Sequence, residues 1–581
     1  MKLSCLKRVL AMPALLLTLA GCIEEGYDLA DIDTTSRFMV NDLVIPVNLD
    51  AITLKSVIDI DEDSKIQIYT TADGRRYYAV KESGTFTSDP ITVDEVVCAG
   101  PIIAPNTIQI AQLPEISGGA AAMSMSYKID PSESEFVYDI ENIDEAIRSV
   151  SSIKVKPMAI VLSLSTPDMG GSVASLTFED LKIYMPKGLT ATASAGEYDR
   201  ATGLLSIDRL VAQGAEAKVV VTVTAIDMAA NGSVLNYESH SLNYGGKMEV
   251  RSGTLTVVTT GGELPATIDF TTSYDFADIE ATAFSGEIEY NLSGVDVNDI
   301  DLSDLPDFLA GEGTDISLVN PQIYLKVNNP VGNDRLDCRT GLTLSAIRNS
   351  QVSATYTIDN PYFTIGCEKG EGPYYFCLSP SNPADVLPGY PVNELSHVGF
   401  GELSGVLSGD GLPSSLGIRL NDPCIPTQTV ADFGLGKDIA GVDGSYEFFA
   451  PLALEDGSTI IYTDTEDGWS DENVDAITIE KFEVSATATT DVPLAVKLTA
   501  KVLGKDGKPI EAELSSIELP ANAKDFPFTI VLGEGQTVTN LDGITFTAHV
   551  KADGQTALSP EQNIVLKNLK AKVSGHYTKE L

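Results

Sequence analysis

Alternation of apolar and polar positions with a period of two dominates this chain, and helical periodicity is scarce. In Val219–Ala225 every odd position is apolar, and in Leu494–Val502 every even position is apolar while most positions between hold Lys or Thr. The same alternation recurs in Ile544–Val550 and Leu569–Val573. A period of two places alternate side chains on opposite faces of an extended segment, so each segment is predicted to be a β-strand with one buried face.

Turn residues separate these segments at short intervals. Asp73–Gly74, between Ile66–Thr71 and Arg76–Lys81, predicts a β-hairpin because both residue types tolerate positive φ. The helix candidates are few and short, at Ile143–Val150 and Leu302–Ala310. Strands joined by turns, without strand–helix alternation, favour antiparallel pairing. The predicted fold class is therefore all-β, with tandem antiparallel β-sandwich domains of the immunoglobulin or fibronectin type and few short connecting helices.

The pattern predicts five segments along the chain. Residues 1–21 have the features of a lipoprotein signal peptide, and residues 22–36 form an acidic tether with little to bury. A first β domain is predicted over residues 37–262. A second domain, with cysteines in its middle region, is predicted over residues 263–470, and a C-terminal β-sandwich over residues 471–581. No repeat of fixed period is visible, which argues against a solenoid or a propeller.

The first 22 residues follow the order of a lipoprotein signal. Lys2, Lys7 and Arg8 precede an apolar run of about a dozen residues, which is too short to span roughly 30 Å of hydrocarbon as a permanent helix. Leu19 is followed by the small residues Ala20 and Gly21, which suit cleavage directly before Cys22. We therefore expect Cys22 to carry the lipid, and the rest of the chain to lie on the outer membrane, facing the cell exterior.

Charge excludes one class of partner. The chain has 38 basic and 83 acidic residues, a formal net charge of −45, and removal of the three basic residues of the signal makes it −48. So acidic a surface repels the phosphates of nucleic acids and of anionic lipid headgroups. We therefore expect no nucleic-acid partner, and we expect the acyl chains alone to hold the protein to the membrane.

Four cysteines, Cys338, Cys367, Cys377 and Cys424, lie within 87 residues. Outside the cytoplasm they allow three disulfide pairings, between which the sequence does not choose. The nine residues between Cys367 and Cys377 place these two close enough to join the strands of a single hairpin. The spacings differ from the tight pairs of structural zinc sites. A disulfide between Cys367 and Cys377 is therefore a candidate, and the pairing of the four cysteines stays open.

The usual catalytic motifs are missing from the sequence. The four histidines are not spaced as H-E-x-x-H, and no serine lies in a G-x-S-x-G motif. With so many acids, the two carboxylates of a glycosidase could still meet in the fold, about 5 to 10 Å apart. A single tryptophan, however, does not suit the aromatic cleft of such an enzyme. The sequence therefore predicts a protein that is not an enzyme.

Calcium is the one cofactor that the sequence indicates. Asp464, Glu466, Asp467 and Asp471 surround Trp469, and clustered carboxylates on a loop suit a hard cation, although the spacing is not that of an EF-hand. An exposed acidic loop without metal explains the same cluster.

Aromatic residues mark two candidate contacts for a ligand. Trp469 and Tyr462 lie near the acidic loop, and Tyr374 and Tyr375 lie between Cys367 and Cys377. An aromatic face stacks on the C–H groups of a sugar while nearby acids bind its hydroxyls. Aromatic side chains in strands also form core and cross-strand pairs. A sugar platform therefore requires these rings to be exposed.

The segment after Cys22 resembles surface-exposed lipoproteins of Bacteroidota, whose export signal is an acidic cluster behind the lipidated cysteine. Here Glu24–Glu25 supplies two acids after an intervening isoleucine. Tyr27–Thr35 and Gly444–Leu452 are similar to segments of uncharacterised lipoproteins from gut members of that phylum, a resemblance that implies no activity. The Asp-Thr-Thr triplet centred on Thr34 resembles the acceptor for O-glycosylation in these bacteria.

These features predict a lipid-anchored, extracytoplasmic and non-enzymatic binding or structural lipoprotein, whose partner is a glycan or another surface protein. One alternative is an accessory glycan-binding lipoprotein of a nutrient-uptake system, which needs exposed, coplanar aromatic rings. Another is an adhesin or fimbria-like subunit, which needs an edge strand open to a neighbour. Leu569–Val573 is the candidate for that strand.

Overall fold

The computed structural model describes residues 35–46, 52–53, 64–71, 73–113, 121–261, 264–310, 313–552 and 555–580. Most of these residues lie in β-strands of several antiparallel sheets, which confirms the predicted all-β class. No helix in the described residues is both long and apolar enough to cross a membrane. The α-helices there are Asp307–Ala310 and Glu402–Leu407, and the 3₁₀ turns are Pro167–Ser172, Ala229–Asn231, Gly332–Asp334, Trp469–Glu472 and Val474–Ala476.

One predicted helix is instead a turn followed by a strand. The prediction of a helix at Ile143–Val150 is wrong, because the strand Ile147–Ser165 begins inside it and Ile147 pairs with Ile288 across the sheet. This long-range pairing outweighs a weak local helix signal. In the second predicted helix only Asp307–Ala310 is helical. Pro306 lies directly before it, and because a proline in a helix interior breaks the hydrogen-bonded turn on its N-terminal side, the helix does not extend back to Leu302.

The strands near the two ends of the chain share one sheet, which we call the N/C sheet. Its order is Thr35–Pro46, Asn563–Glu580, Thr478–Thr490 and Phe526–Val531, with Ile52–Thr53 also paired to the second strand. A four-stranded sheet contributes to the same apolar core, in the order Thr459–Glu466, Leu541–Lys551, Val496–Gly504 and Ile517–Leu519.

The strand Asn563–Glu580 lies between two neighbours in the N/C sheet. It pairs with Thr35–Pro46 on one side and with Thr478–Thr490 on the other. Leu569–Val573 is therefore not at an edge, and the adhesin hypothesis loses the strand on which it depended.

A seven-stranded sheet, which we call the central sheet, carries the candidate site. Each pair of its neighbours is antiparallel except the last, in which Tyr375 lies opposite Leu395 in parallel strands. The predicted hairpin is confirmed in this sheet, where Ile66 pairs with Val80. The strand order is Asp296–Val297, Arg76–Thr87, Asp443–Pro451, Gln322–Asn328, Tyr374–Ser379 and Leu395–Gly399, with Ile66–Thr70 also paired to Arg76–Thr87.

An eleven-stranded sheet joins both sides of the predicted boundary at residue 262. Its strand Ile279–Asn291 pairs with Ile147–Ser165 on one side and with Ser415–Gly434 on the other. The predicted boundaries remain a prediction about independently folding units. The other strands of this sheet are Leu189–Ala193, Glu216–Asp227, Cys338–Arg348, Gln351–Ile365, Thr267–Phe276, Ile300–Asp301, Val96–Cys98 and Asn106–Gln112.

A six-stranded sheet and a short ribbon complete the described strands. In the six-stranded sheet, Phe178 pairs with Leu255 in the adjacent strand, and both side chains are buried. The strands of this sheet are Glu197–Asp199, Leu204–Gln213, Val173–Tyr184, Leu242–Thr259, Ser124–Lys128 and Ser132–Ile140, and the ribbon pairs Ala453–Leu454 with Thr556–Ala557.

Candidate functional site

The outer face of the central sheet carries a small apolar cluster of its own. Along Tyr374–Ser379, Phe376 belongs to the main core, whereas Cys377 belongs to this second cluster because adjacent side chains point to opposite faces. Ala79, Tyr324 and Phe449 from the other strands of the sheet complete its buried floor, and Leu387 covers it. The segment after Tyr374–Ser379 is thus packed against the sheet.

Beside this cluster, Tyr375 and Tyr390 line a surface cleft of about 570 Å³. Their ring centroids are 6.0 Å apart and their ring planes meet at 83°. Both rings are partly exposed, so each presents aromatic surface to solvent. The remaining lining residues are Lys369, Gly372, Pro373, Gly389, Pro391 and Glu394.

A buried tyrosine fixes the position of Tyr390. The centroid of the Tyr390 ring lies 4.8 Å from that of Tyr324. The Tyr324 hydroxyl donates to Oε1 of Gln322 at 2.7 Å and accepts the N–H of Leu387 at 3.2 Å. Burial raises the pKa of Tyr324 and of Tyr390, so both phenols stay neutral at ordinary pH. This wall of the cleft is therefore held by hydrogen bonds beneath it.

The opposite wall is the turn before Tyr374. The N–H of Lys369 donates to the Tyr374 hydroxyl at 2.9 Å, and that hydroxyl donates to the carbonyl of Gly370 at 3.0 Å. Gly372 has a φ of +101°, which glycine adopts without strain. Tyr374 is buried, so the sequence prediction that it contacts a ligand is wrong, and its role is to shape the turn.

Opposite charges meet within the cleft lining. The ammonium of Lys369 lies 2.6 Å from Oε2 of Glu394, and both side chains are exposed. The site thus combines two aromatic rings, a donor and an acceptor. Hydroxyl groups of a ligand can hydrogen-bond to both charged groups while its apolar face contacts a ring.

A second, enclosed cavity lies inside the sandwich. It measures about 70 Å³, and its lining includes Leu325, Leu344, Phe363 and Leu378. Its accessible surface is apolar, although Arg339, Thr340, Tyr362 and Tyr446 are among the residues that border it. This cavity belongs to the core.

Trp469 does not form a ligand platform. Its side chain is 4% exposed and its ring centroid lies 6.4 Å from that of Phe482. Ser470, the next residue, donates its N–H to Asp542 at 2.7 Å, which folds the turn onto the sheet. The prediction that Trp469 is an exposed contact is therefore wrong. Tyr462 is partly buried on a neighbouring strand, where burial raises the pKa of its phenol.

The structure does not bring the predicted calcium ligands together. Asp464 and Glu466 lie on the strand Thr459–Glu466, while Asp467 and Asp471 follow it and are exposed. Asp464 accepts the N–H of Thr465 at 2.9 Å. Across the described ranges, no three His, Cys, Asp or Glu side chains converge on a position suited to a metal. The cluster is therefore divided between the end of a strand, where Asp464 and Glu466 are partly exposed, and the exposed segment that follows it.

The candidate disulfide is not formed. Cys367 and Cys377 are both free thiols, as are Cys98, Cys338 and Cys424. Cys377 is buried in the outer apolar cluster, whereas Cys367 is only partly buried, in the turn that precedes Tyr374. The two thiols have different surroundings, because Gln351–Ile365 and Tyr374–Ser379 belong to different sheets and do not form the hairpin that the cysteine spacing indicates. Cys22 and Thr34 lie outside the described residues, so their predicted modifications remain predictions.

Sequence reasoning identified Tyr375 but missed its partners in the cleft. Tyr390, Lys369 and Glu394 come from turns whose spatial contacts leave no periodic signal. The one available clue is the run Pro-Gly-Tyr-Pro at residues 388–391, an aromatic residue within a turn-forming segment.

No protein-family model matches the sequence, and no curated protein matches it either. Among solved structures, the chain is similar to a "putative secreted protein" from Parabacteroides distasonis ATCC 8503. The two share 16% identity and a TM-score of 0.33, over 51% of this chain and 90% of that one. A TM-score this low supports no inference about the present chain.

Proposed function

We propose that this chain is a lipid-anchored, extracytoplasmic binding protein that takes a glycan in the cleft of Tyr375 and Tyr390 and catalyses no reaction. The observation that supports it is the pairing of two partly exposed tyrosine rings with Lys369 and Glu394 in one cleft. Its volume of about 570 Å³ falls within the range of roughly 300 to 1,000 Å³ common for small-ligand sites.

The chemistry of the cleft favours a neutral sugar. One ring can stack on the apolar face of a pyranose while the other, nearly perpendicular, bounds it. Lys369 and Glu394 then serve as donor and acceptor for hydroxyls. The strongly acidic chain disfavours a polyanion, which argues against nucleic acids and anionic polysaccharides as ligands in this cleft.

The number of carboxylates in the cleft supports a binding role. Glycosidases of the common type use two, one as acid and one as base or nucleophile. Among the described lining residues, Glu394 is the only carboxylate, and it is paired with Lys369. The proposal therefore assigns recognition to this cleft and no bond cleavage.

The lipid anchor at Cys22 and a position on the outer membrane facing the cell exterior are part of the same proposal. They rest on the order of charged, apolar and small residues before Cys22. Mass spectrometry of the protein from membranes of its native host tests the anchor. We expect an acylated residue at position 22, and an unmodified thiol there would contradict it.

An array of neutral oligosaccharides, probed with the chain from residue 22 onward as the Cys22→Ser variant, tests the cleft. We expect one glycan class to bind, and Tyr375→Ala to weaken that binding about tenfold or more by removing a central aromatic contact. Tyr184→Ala, at an exposed tyrosine of another sheet, is the matched control and should bind as the parent does. Absence of binding, or equal binding by Tyr375→Ala, would overturn the assignment.

A further inference from the structure

Lysines cluster on the outer face of the N/C sheet, in a chain where acids outnumber bases more than twofold. Lys567, Lys570 and Lys572 lie on the strand Asn563–Glu580, and Lys481 lies on its neighbour. Residues that alternate with them, including Leu566, Ala571, Val573 and Phe482, are buried in the core. We call these four lysines the lysine face.

The lysine face has no ion-pair partners in the described part of the chain. No carboxylate oxygen there lies within 4.0 Å of any of its four ammonium groups, although Glu483 is opposite Lys572 in register. Glu480 also lies on this face and is engaged by Arg37 at 2.7 Å, and Glu513 and Glu534 line one cleft with Lys481. Lys567 and Lys570 are exposed, Lys572 is partly exposed, and none of the three lines that cleft, so their ammonium groups are available to an external anion.

Apolar side chains extend this face at its edge. Met39 and Val44 on Thr35–Pro46 are 61% and 49% exposed. Met39 is opposite His576 and Val44 is opposite Lys572, so both lie on the side of the lysines. Within the described residues this edge strand pairs only with Asn563–Glu580. Lysines beside exposed apolar residues are the composition of a surface that contacts anionic lipid.

The position of the edge strand in the sequence also supports contact with a membrane. Thr35 follows Cys22 by thirteen residues, a length that reaches about 45 Å at most when fully extended. A lipid on Cys22 therefore keeps the N/C sheet within that distance of the bilayer. Among the sheets that the structure describes, the one nearest the anchor in sequence also carries the lysine face.

We propose that the lysine face docks on anionic lipid headgroups, with Met39 and Val44 in the headgroup region. The protein then lies against the membrane in a fixed orientation, and contact does not come from acyl chains alone. The inference rests on the proposed function only through the anchor at Cys22. A polyanion in solution is a poorer fit, because it offers no apolar region in which the side chains of Met39 and Val44 could be buried.

Vesicle binding by a chain that cannot be acylated tests this docking separately from the anchor and from the cleft. The Cys22→Ser protein is mixed with vesicles of phosphatidylcholine containing about 30% phosphatidylglycerol, or with phosphatidylcholine alone, and sedimented. We expect binding to the anionic vesicles only, and a marked loss of it between about 0.1 M and 0.5 M salt. Binding to neither vesicle, or equal binding to both, overturns the proposal.

Charge removal locates the contact. Lys567→Gln, Lys570→Gln and Lys572→Gln together should weaken binding to the anionic vesicles by at least about tenfold, since each lysine near an anionic surface contributes separately. The matched control removes Lys497, Lys501 and Lys551, which are exposed on the other sheet of the same sandwich, by the same substitution. Equal loss in both triple variants, or no loss in the first, overturns the assignment to this face.

A fluorescent reporter tests the apolar edge. Val44→Trp places an indole beside Lys572, and its emission should shift to the blue when anionic vesicles are added. Val352→Trp, at an exposed valine of the eleven-stranded sheet, should not shift. A shift in both variants, or in neither, contradicts a fixed orientation. Glycan binding by the Cys22→Ser protein reports on the cleft independently of these results.

Discussion

The ring of Tyr390 packs 4.8 Å from the ring of Tyr324, which is completely buried in the central sheet. One residue belongs to a Pro/Gly-rich surface segment and the other to a strand. The hydroxyl of Tyr324 also binds the N–H of Leu387, three residues before Tyr390. The exposed face of Tyr390 is therefore set by a residue that does not itself line the cleft.

Tyr324→Phe should lower both stability and glycan affinity. The substitution leaves the N–H of Leu387 and Oε1 of Gln322 without the Tyr324 hydroxyl in a buried place, at a cost of about 1 to 3 kcal/mol. Urea unfolding and glycan titration measure the two effects. Tyr138→Phe is the control, since its buried hydroxyl binds the carbonyl of Ala277 far from the cleft in the sequence and in another sheet. That variant should lose stability and keep its affinity.

Lys369→Met and Glu394→Gln should affect binding more than folding. Their ion pair is exposed, so its loss should change the free energy of unfolding by less than about 1 kcal/mol. The affinity for a glycan should fall further, because a donor or acceptor for its hydroxyls is removed. Lys524→Met, which breaks the exposed pair with Asp491, should match the stability effect with no change in affinity. A glycan affinity that is unchanged in both cleft variants would remove these charges from the site.

Trp469→Phe and Trp469→Ala should separate packing from ligand contact. The alanine variant should lose about 3 to 5 kcal/mol of unfolding free energy, because it empties a buried aromatic site against Phe482. The phenylalanine variant should lose much less, since the indole N–H has no hydrogen-bond partner among the described residues. Both should bind glycan as the parent does. A lower glycan affinity in the phenylalanine variant would show that Trp469 contributes to glycan binding.

The strands could be predicted from the sequence because their alternation is local. Leu494–Val502 overlaps the strand Val496–Gly504 from Val496 onward, and Ile544–Val550 falls within its partner strand Leu541–Lys551, with one face buried in each. The pairing of Thr35–Pro46 with Asn563–Glu580 could not be predicted, because more than 500 residues separate them and alternation says nothing about partners.

The candidate site was only partly predictable for a related reason. Composition marks Tyr375 and Trp469 equally as aromatic residues near turns, but burial depends on which way each turn folds. A Cβ on Gly543 would lie 2.4 Å from the carbonyl oxygen of Glu466, so this glycine permits the close approach that brings the Trp469 turn onto the sheet. Tyr390 joins Tyr375 through contacts of a nonperiodic segment. Net charge likewise hides the lysine face, because it averages over the whole surface.

The free cysteines can be counted. The Cys22→Ser chain, unfolded without reductant, should react with a thiol reagent at five positions, since the structure contains no disulfide among the cysteines it describes. In the folded protein Cys367 and Cys424 should react before the others, because they are only partly buried. Three reactive thiols in the unfolded chain would instead reveal one bridge.

Asp301→Asn should flatten the dependence of stability on acid. The ammonium of Lys65 lies 2.9 Å from Oδ2 of Asp301, and its hydrogen bond, together with those from Ser303, lowers the pKa of that carboxyl from 3.8 to about 2. A carboxyl whose pKa is lower in the folded state stabilises the fold above its unfolded pKa, and this contribution disappears as the pH falls from about 4 to about 2. Because the Asp301 side chain is 60% exposed, solvent screening reduces the effect to about 1 kcal/mol or less.

Urea unfolding at about pH 7 and about pH 2.5 should therefore show a larger difference in unfolding free energy for the parent than for Asp301→Asn. Asp304→Asn, at 3.7 Å from Lys65 and more exposed, should change this difference less. Identical acid sensitivity of the parent and Asp301→Asn would show that Lys65 does not hold Asp301 in its ionised form.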